Sequence, residues 1–70
     1  KWIRQATETL RRATTKLPES VEIWLALADA CAAERNEPER VRALKEVLKL
    51  DPTNRKAAKA LAEIAATKPR

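Results

Sequence analysis

Two proline-centred breaks, Lys16-Leu17-Pro18-Glu19-Ser20 and Leu50-Asp51-Pro52-Thr53-Asn54, stand thirty-four positions apart in a chain of 70 residues. In each, the proline pushes the residue before it out of helical geometry. In each, a residue with a short polar side chain follows that can accept from the first free amides of a new helix. Two breaks of one chemistry at one spacing leave only segments of helical length between them.

The segments have the matching periodicity. Ile3, Ala6, Leu10, Ala13 and Leu17 recur at steps of three and four, which predicts an apolar stripe on a first helix, with Arg4, Glu8, Arg11 and Arg12 facing water. Val21, Trp24, Ala28 and Cys31 form a second stripe, widened by Leu25, Leu27 and Ala32. Ser20 is its expected N-cap, with Glu22 placed to suit the helix dipole. Asn36 and Glu39 read as a capping box, and Pro38 falls where a helix does not need its N–H. Val41, Leu44, Val47 and Leu48 supply the third stripe. Ala57 or Ala58, then Leu61, Ile64 and Ala65, supply the fourth, capped by Asn54. The expectation is one domain, 1–70, with helices over about 2–16, 20–34, 38–49 and 55–66 and a frayed tail from Thr67 to Arg70.

Composition agrees with an all-α fold. Seventeen hydrophobic residues are larger than alanine, and alanine, the strongest helix former, completes the 44% hydrophobic content. A chain of this size buries only about 60% of the surface its unfolded form exposes. The single Cys31 forms no internal disulfide and reads as a small buried hydrophobe. There is no Gly to build a phosphate-cradling loop or an inexpensive left-handed turn, and no His to serve as general base or metal ligand. No catalytic, cofactor-binding or metal-binding residue is therefore nominated, and neither an enzyme nor a small-molecule substrate is expected. No apolar run reaches membrane-spanning length, and Arg4 interrupts any leader-like opening, so a soluble, cytoplasm-compatible protein is expected.

Offsetting the chain by thirty-four places Leu10 on Leu44, Ala13 on Val47, Leu27 on Leu61 and Ala28 on Ala62. A fixed period joining helix, turn and helix is the signature of a stacked solenoid repeat. From Val21 to Asn54 the chain resembles the tetratricopeptide repeat, whose pattern is W-x2-L-G-x2-Y, A-x3-F and P. It offers Trp24 and Leu27, Ala28 for the glycine, Cys31 for the tyrosine, Leu44 for the second aromatic, and Asp51-Pro52. Arg40 departs from the pattern, standing where the family keeps a small alanine between its helices. Ala6 and Leu10 keep that spacing more faithfully in the first segment. The resemblance implies four antiparallel helices stacked as TPR-like hairpins, one full repeat between two half repeats. The alternative architecture is an up-down four-helix bundle.

The resemblance also implies a peptide or protein partner in the groove lined by the first helix of each repeat. Glu22, Leu25 and Asp29, with Lys56, Lys59 and Glu63, would line it here. Glu22 and Asp29 do not match the basic clamp that grips a C-terminal carboxylate in some members. The net charge of +5 and the basic group Arg55, Lys56, Lys59, Lys68 and Arg70 raise nucleic-acid binding, which interleaved acids and the lack of Tyr or Phe disfavour. Trp2 and the outer side of the fourth helix lack neighbours in the repeat order, a setting for self-association. Lys1 in place of Met, the absence of Gly and rule-following caps suggest a designed or engineered scaffold without evolved biochemical activity. Thr7, Thr9, Thr14, Thr15 and Cys31 are unusual choices for such a design, and the alternative is a fragment of a natural peptide-binding module.

Overall fold

The computed structural model describes the chain from Trp2 to Thr67, with side chains from Gln5 to Ala66. The frayed tail expected from Thr67 begins inside the last helix; the rest of it and the side chains of Trp2, Ile3 and Arg4 lie outside the described residues. Four helices follow one another: α1 (Trp2–Lys16), α2 (Val21–Ala33), α3 (Glu37–Leu50) and α4 (Arg55–Thr67). Among the described residues there is no strand.

Each helix packs on the next, α1 on α2, α2 on α3 and α3 on α4, and no seam joins α1 to α4. The molecule is a slab of 32 × 28 × 14 Å, little thicker than one helix with its side chains. An up-down bundle would return its last helix to the first, so the stacked arrangement is the one this chain adopts.

The two proline breaks form the same turn, bond for bond. Leu17 N donates to Ala13 O at 2.7 Å, and Asp51 N to Val47 O at 2.7 Å. Ser20 N donates to Leu17 O at 3.1 Å, and Asn54 N to Asp51 O at 3.0 Å. The caps then repeat: Ile23 N donates to Ser20 Oγ at 3.3 Å and Ala57 N to Asn54 Oδ1 at 2.9 Å. Each cap satisfies an amide that the first turn leaves free.

The core lies on the seam between α2 and α3, where Leu27, Ala28 and Cys31 meet Ala43, Leu44 and Val47, and α4 closes it with Ala57 and Ile64. Ala28 and Ala43 are small enough to let the two helices approach closely. Ala32 and Ala65, expected in the stripes, are exposed, whereas Ala43 was not expected in the core and is buried. Trp24 is only partly buried; its indole N–H donates to Pro18 O at 2.9 Å and pins the first turn to α2.

The first helix departs most from expectation. Its buried residues are Thr7 and Thr14, seven apart and so on one face, with Leu10 and Arg11 partly buried between them. Ala6 is exposed and Leu17 is 57% exposed. The buried stripe is thus turned by about one residue, roughly 100°, from the apolar one. The hydroxyls make this workable: Thr14 Oγ1 donates to Arg11 O at 2.7 Å, and Thr7 Oγ1 to Glu34 Oε2 at 3.2 Å. With its hydroxyl satisfied, a threonine presents a methyl group to the seam in a volume close to valine's.

A left-handed residue occurs despite the lack of glycine. Arg35, directly after α2, has φ of 60°. Asn36 N donates to Cys31 O at 2.9 Å and Arg35 N to Ala32 O at 3.1 Å, the paired bonds of a Schellman ending. Asn36 thereby spends its own N–H on α2, and the expected capping box does not form. Its side chain still caps α3, accepting from Glu39 N at 3.5 Å, while the Glu39 carboxylate reaches back to the Asn36 side-chain amide rather than to its backbone N–H.

Candidate interaction face

Glu22, Leu25 and Asp29 are spaced by three and four along α2, on the side turned away from Leu27, Ala28 and Cys31. Lys56, Lys59 and Glu63 repeat that spacing on α4, turned away from Ala57 and Ile64. Five of the six are exposed; Leu25 is partly buried against the core. Among the described residues none of the six is engaged in an ion pair. The helices that carry them are separated by α3 in the packing order rather than joined by a seam of their own. Four cavities of about 300 to 440 Å³ are formed elsewhere, and none is lined by these side chains. None of these cavities encloses the six, five of which face solvent. Carboxylates dominate the α2 side and ammonium groups the α4 side.

On another part of the surface, sequence reasoning missed a cleft of about 440 Å³ in which Trp24 and Leu27 sit between α1 and α3. One edge is the ion pair of Arg11 and Glu39, with Nε to Oε2 at 2.6 Å and Nη2 to Oε1 at 2.7 Å. Glu39 Oε1 also accepts from Asn36 Nδ2 at 3.1 Å, so one carboxylate ties α1 to the start of α3. The Arg11 hydrogen bonds hold the Glu39 carboxyl below the usual carboxylate range, against the opposing effect of partial burial, with Arg42 adding to the depression. The same pairing raises the Arg11 guanidinium further above neutrality. Arg11 had been expected to face water. Its partner twenty-eight residues away left no local signal, because helix periodicity reports faces and not what meets them.

The cysteine is fully buried between α2 and α3, and burial pushes its thiol up from the ordinary range. That is the environment of an inert packing residue. Among the described residues no three of the acidic and cysteine side chains converge as a metal would require. Among the described residues no helix is long and apolar enough to cross a membrane.

Leu27, Ala28, Cys31, Leu44 and Val47 thus build the seam at the positions the thirty-four-residue pattern assigns to packing. The tetratricopeptide repeat family model matches residues 21–64, the span of α2, α3 and most of α4. The chain belongs to the tetratricopeptide repeat family. Neither a curated protein nor a solved structure matches it. Within the tetratricopeptide pattern Arg40 remains the departure, and it is accommodated at the edge. Partly buried, it lines a cavity of about 300 Å³ with Arg35 and Glu37 and leaves the close approach of α2 and α3 to Ala28 and Ala43. A long side chain can lie along a seam this way while its charge stays in water. The tetratricopeptide match begins at α2; α1 joins the same scheme through the turn it shares, bond for bond, with the end of α3.

Proposed function

We propose that the protein is a non-enzymatic tetratricopeptide scaffold whose open face on α2 and α4 takes an extended segment of another protein. The observation that carries this reading is the repeated three-and-four spacing of Glu22, Leu25 and Asp29 and of Lys56, Lys59 and Glu63, with five of the six exposed and none spent on an ion pair among the described residues. Side chains free of internal work on folded helices are available to a ligand at little reorganisation cost. The charge order suits a segment with basic residues against Glu22 and Asp29 and acidic ones against Lys56 and Lys59. The face is shorter than the roughly 800 Å² per partner of a standard interface, so the affinity is expected in about the micromolar range or weaker.

The test is a titration of the isotopically labelled protein with extended peptides of that charge order and of the reverse order. The reading expects amide shifts concentrated at the six positions, stronger for the first order, and a loss of about tenfold or more on Lys56→Glu with Lys59→Glu. Shifts confined to other surfaces, or none at millimolar peptide, count against it. Shifts produced by an oligonucleotide and abolished by moderate salt would move the reading to nucleic acid.

A designed scaffold without a ligand is the second reading, supported by the helix starts, which are capped at Ser20, Asn36 and Asn54. Two features weigh against it. Idealised design avoids a non-glycine residue at positive φ, yet Arg35 sits there, and it fills helix seams with aliphatic residues where this chain has Thr7 and Thr14.

A further inference from the structure

Around the cleft beside Trp24, all the polar side chains but one are engaged with other described residues. Arg11 and Glu39 hold each other, and the Glu39 carboxylate also accepts from Asn36. Thr14 and Thr15 both donate to Arg11 O, at 2.7 and 3.2 Å. Glu46 is paired with Lys49 at 3.7 Å. The Trp24 indole N–H is given to Pro18 O, so the ring offers the cleft only carbon. The exception is Arg42. Exposed on the rim, it has neither a side-chain hydrogen bond nor an ion pair among the described residues.

The floor is apolar, with Leu27 buried and Trp24 partly buried. Thr14 and Ala43 are buried at its walls, and their short side chains leave the gap between α1 and α3 unfilled. A volume of about 440 Å³ falls in the range of small-molecule sites. Trp24 and Leu27 follow Glu22 and Leu25 by two positions, about 200° around α2. The cleft therefore opens away from the candidate peptide face.

We infer that this cleft binds a small aromatic carboxylate, its ring laid over Trp24 and Leu27 and its carboxylate held by Arg42. Ring contact with the indole adds to the apolar area the ligand buries. A guanidinium with its donors free takes a carboxylate in two-point contact. A cationic ligand fits less well, because Glu39 and Glu46 are already paired with cations and Arg42 would repel it. The site is separate from the α2 and α4 face, and the inference does not rest on peptide binding there.

The experiment is a titration of the isotopically labelled full chain with naphthylacetate and with its neutral amide, naphthylacetamide. A ligand of this size with one ion pair is expected to bind with a Kd of about 1 mM. Shifts should concentrate at Thr14, Thr15, Ala43 and the Trp24 indole N–H, and the amide should bind about five- to tenfold more weakly. Arg42→Gln alters an exposed, unpaired position and should keep the wild-type circular dichroism. It should bind acid and amide alike. Thr15→Glu, at another exposed position on the rim, should weaken the acid more than the amide. Failure to approach saturation by about 10 mM overturns the inference, as do shifts confined to other surfaces. Equal binding of acid and amide by the wild type overturns it too, as does a preference for the acid that survives Arg42→Gln. Tighter binding of naphthylmethylammonium would overturn the assignment of charge. None of these outcomes bears on peptide binding by the α2 and α4 face, which is measured separately.

Discussion

Arg11 of α1 grips Glu39 of α3 through both ends of its carboxylate, at 2.6 and 2.7 Å, across a separation of twenty-eight residues. This pair, with the hydrogen bond from Asn36 to the same carboxylate, is the polar link between helices that do not follow one another. Two-point contact fixes the rotation of α1 as well as its distance, and it accompanies the inward turn of Thr7 and Thr14. A fork-shaped guanidinium suits that role where a lysine would not.

The Arg11 side chain is 39% exposed and that of Glu39 is 22% exposed, so solvent screens the pair in part. A double-mutant cycle with Arg11→Ala and Glu39→Gln, read by urea unfolding, should give a coupling of about 1 kcal/mol. Arg11→Lys should recover less than half of it. A coupling near zero would show that α1 is held in its rotation by the threonines alone.

The pair also sets a pH dependence. Glu39 has its folded pKa depressed below that of the unfolded chain, so its contribution is fully present above the usual carboxylate range. It is lost as pH falls through that range and past the depressed value. Urea midpoints measured from pH 7 down to about pH 3 should therefore decline, and Glu39→Gln should decline less steeply than the wild type. The raised Arg11 pKa adds no slope in this window, because the guanidinium stays protonated in both states.

Arg35 at φ of 60° occupies a conformation that costs an L-residue with a Cβ roughly 1 kcal/mol. Arg35→Gly should stabilise the protein by about 0.5–1 kcal/mol, since the left-handed conformation then carries no penalty while the unfolded chain gains some freedom. Arg35→Val should destabilise by more than that gain. Thermal unfolding followed by circular dichroism reads both.

A hydrophobic pattern score would treat Thr7→Leu as an improvement of α1. The structure expects the opposite: Thr7 has no exposed surface, and a larger side chain there must push α1 off α2. The expected loss is about 1–3 kcal/mol. Thr9→Leu, on the exposed side of the same helix, should change stability little, which separates packing from composition.

Those four cases mark how far the residues could be read in advance. Ser20, Asn36 and Asn54 were legible because a cap is a local event, settled by one side chain and the amide three residues on. The core faces of α2 and α3 were legible because helices covered by neighbours on both sides need apolar stripes. The buried face of α1 was not, because a helix covered on one side can turn a satisfied threonine inward and leave Ala6 and Leu17 in water. Arg35 was invisible for a related reason. Without glycine the chain gave no sign of a left-handed ending, and only the Schellman bonds reveal it. The candidate face was legible as positions, since the offset carries Glu22, Leu25 and Asp29 onto Lys56, Lys59 and Glu63. The cleft beside Trp24 is assembled by three helices, and no stretch of sequence contains it.

The slab in which each helix packs on its immediate neighbours has a kinetic consequence. Every seam joins helices consecutive in the chain, so no distant ends must find one another before structure is rewarded. Folding can start at the α2–α3 hairpin and spread outward, and unfolding can retrace it from either edge. The outer helices should then exchange their amide hydrogens by openings smaller than global unfolding, while the amides of Cys31 and Val47 wait for the whole chain to open.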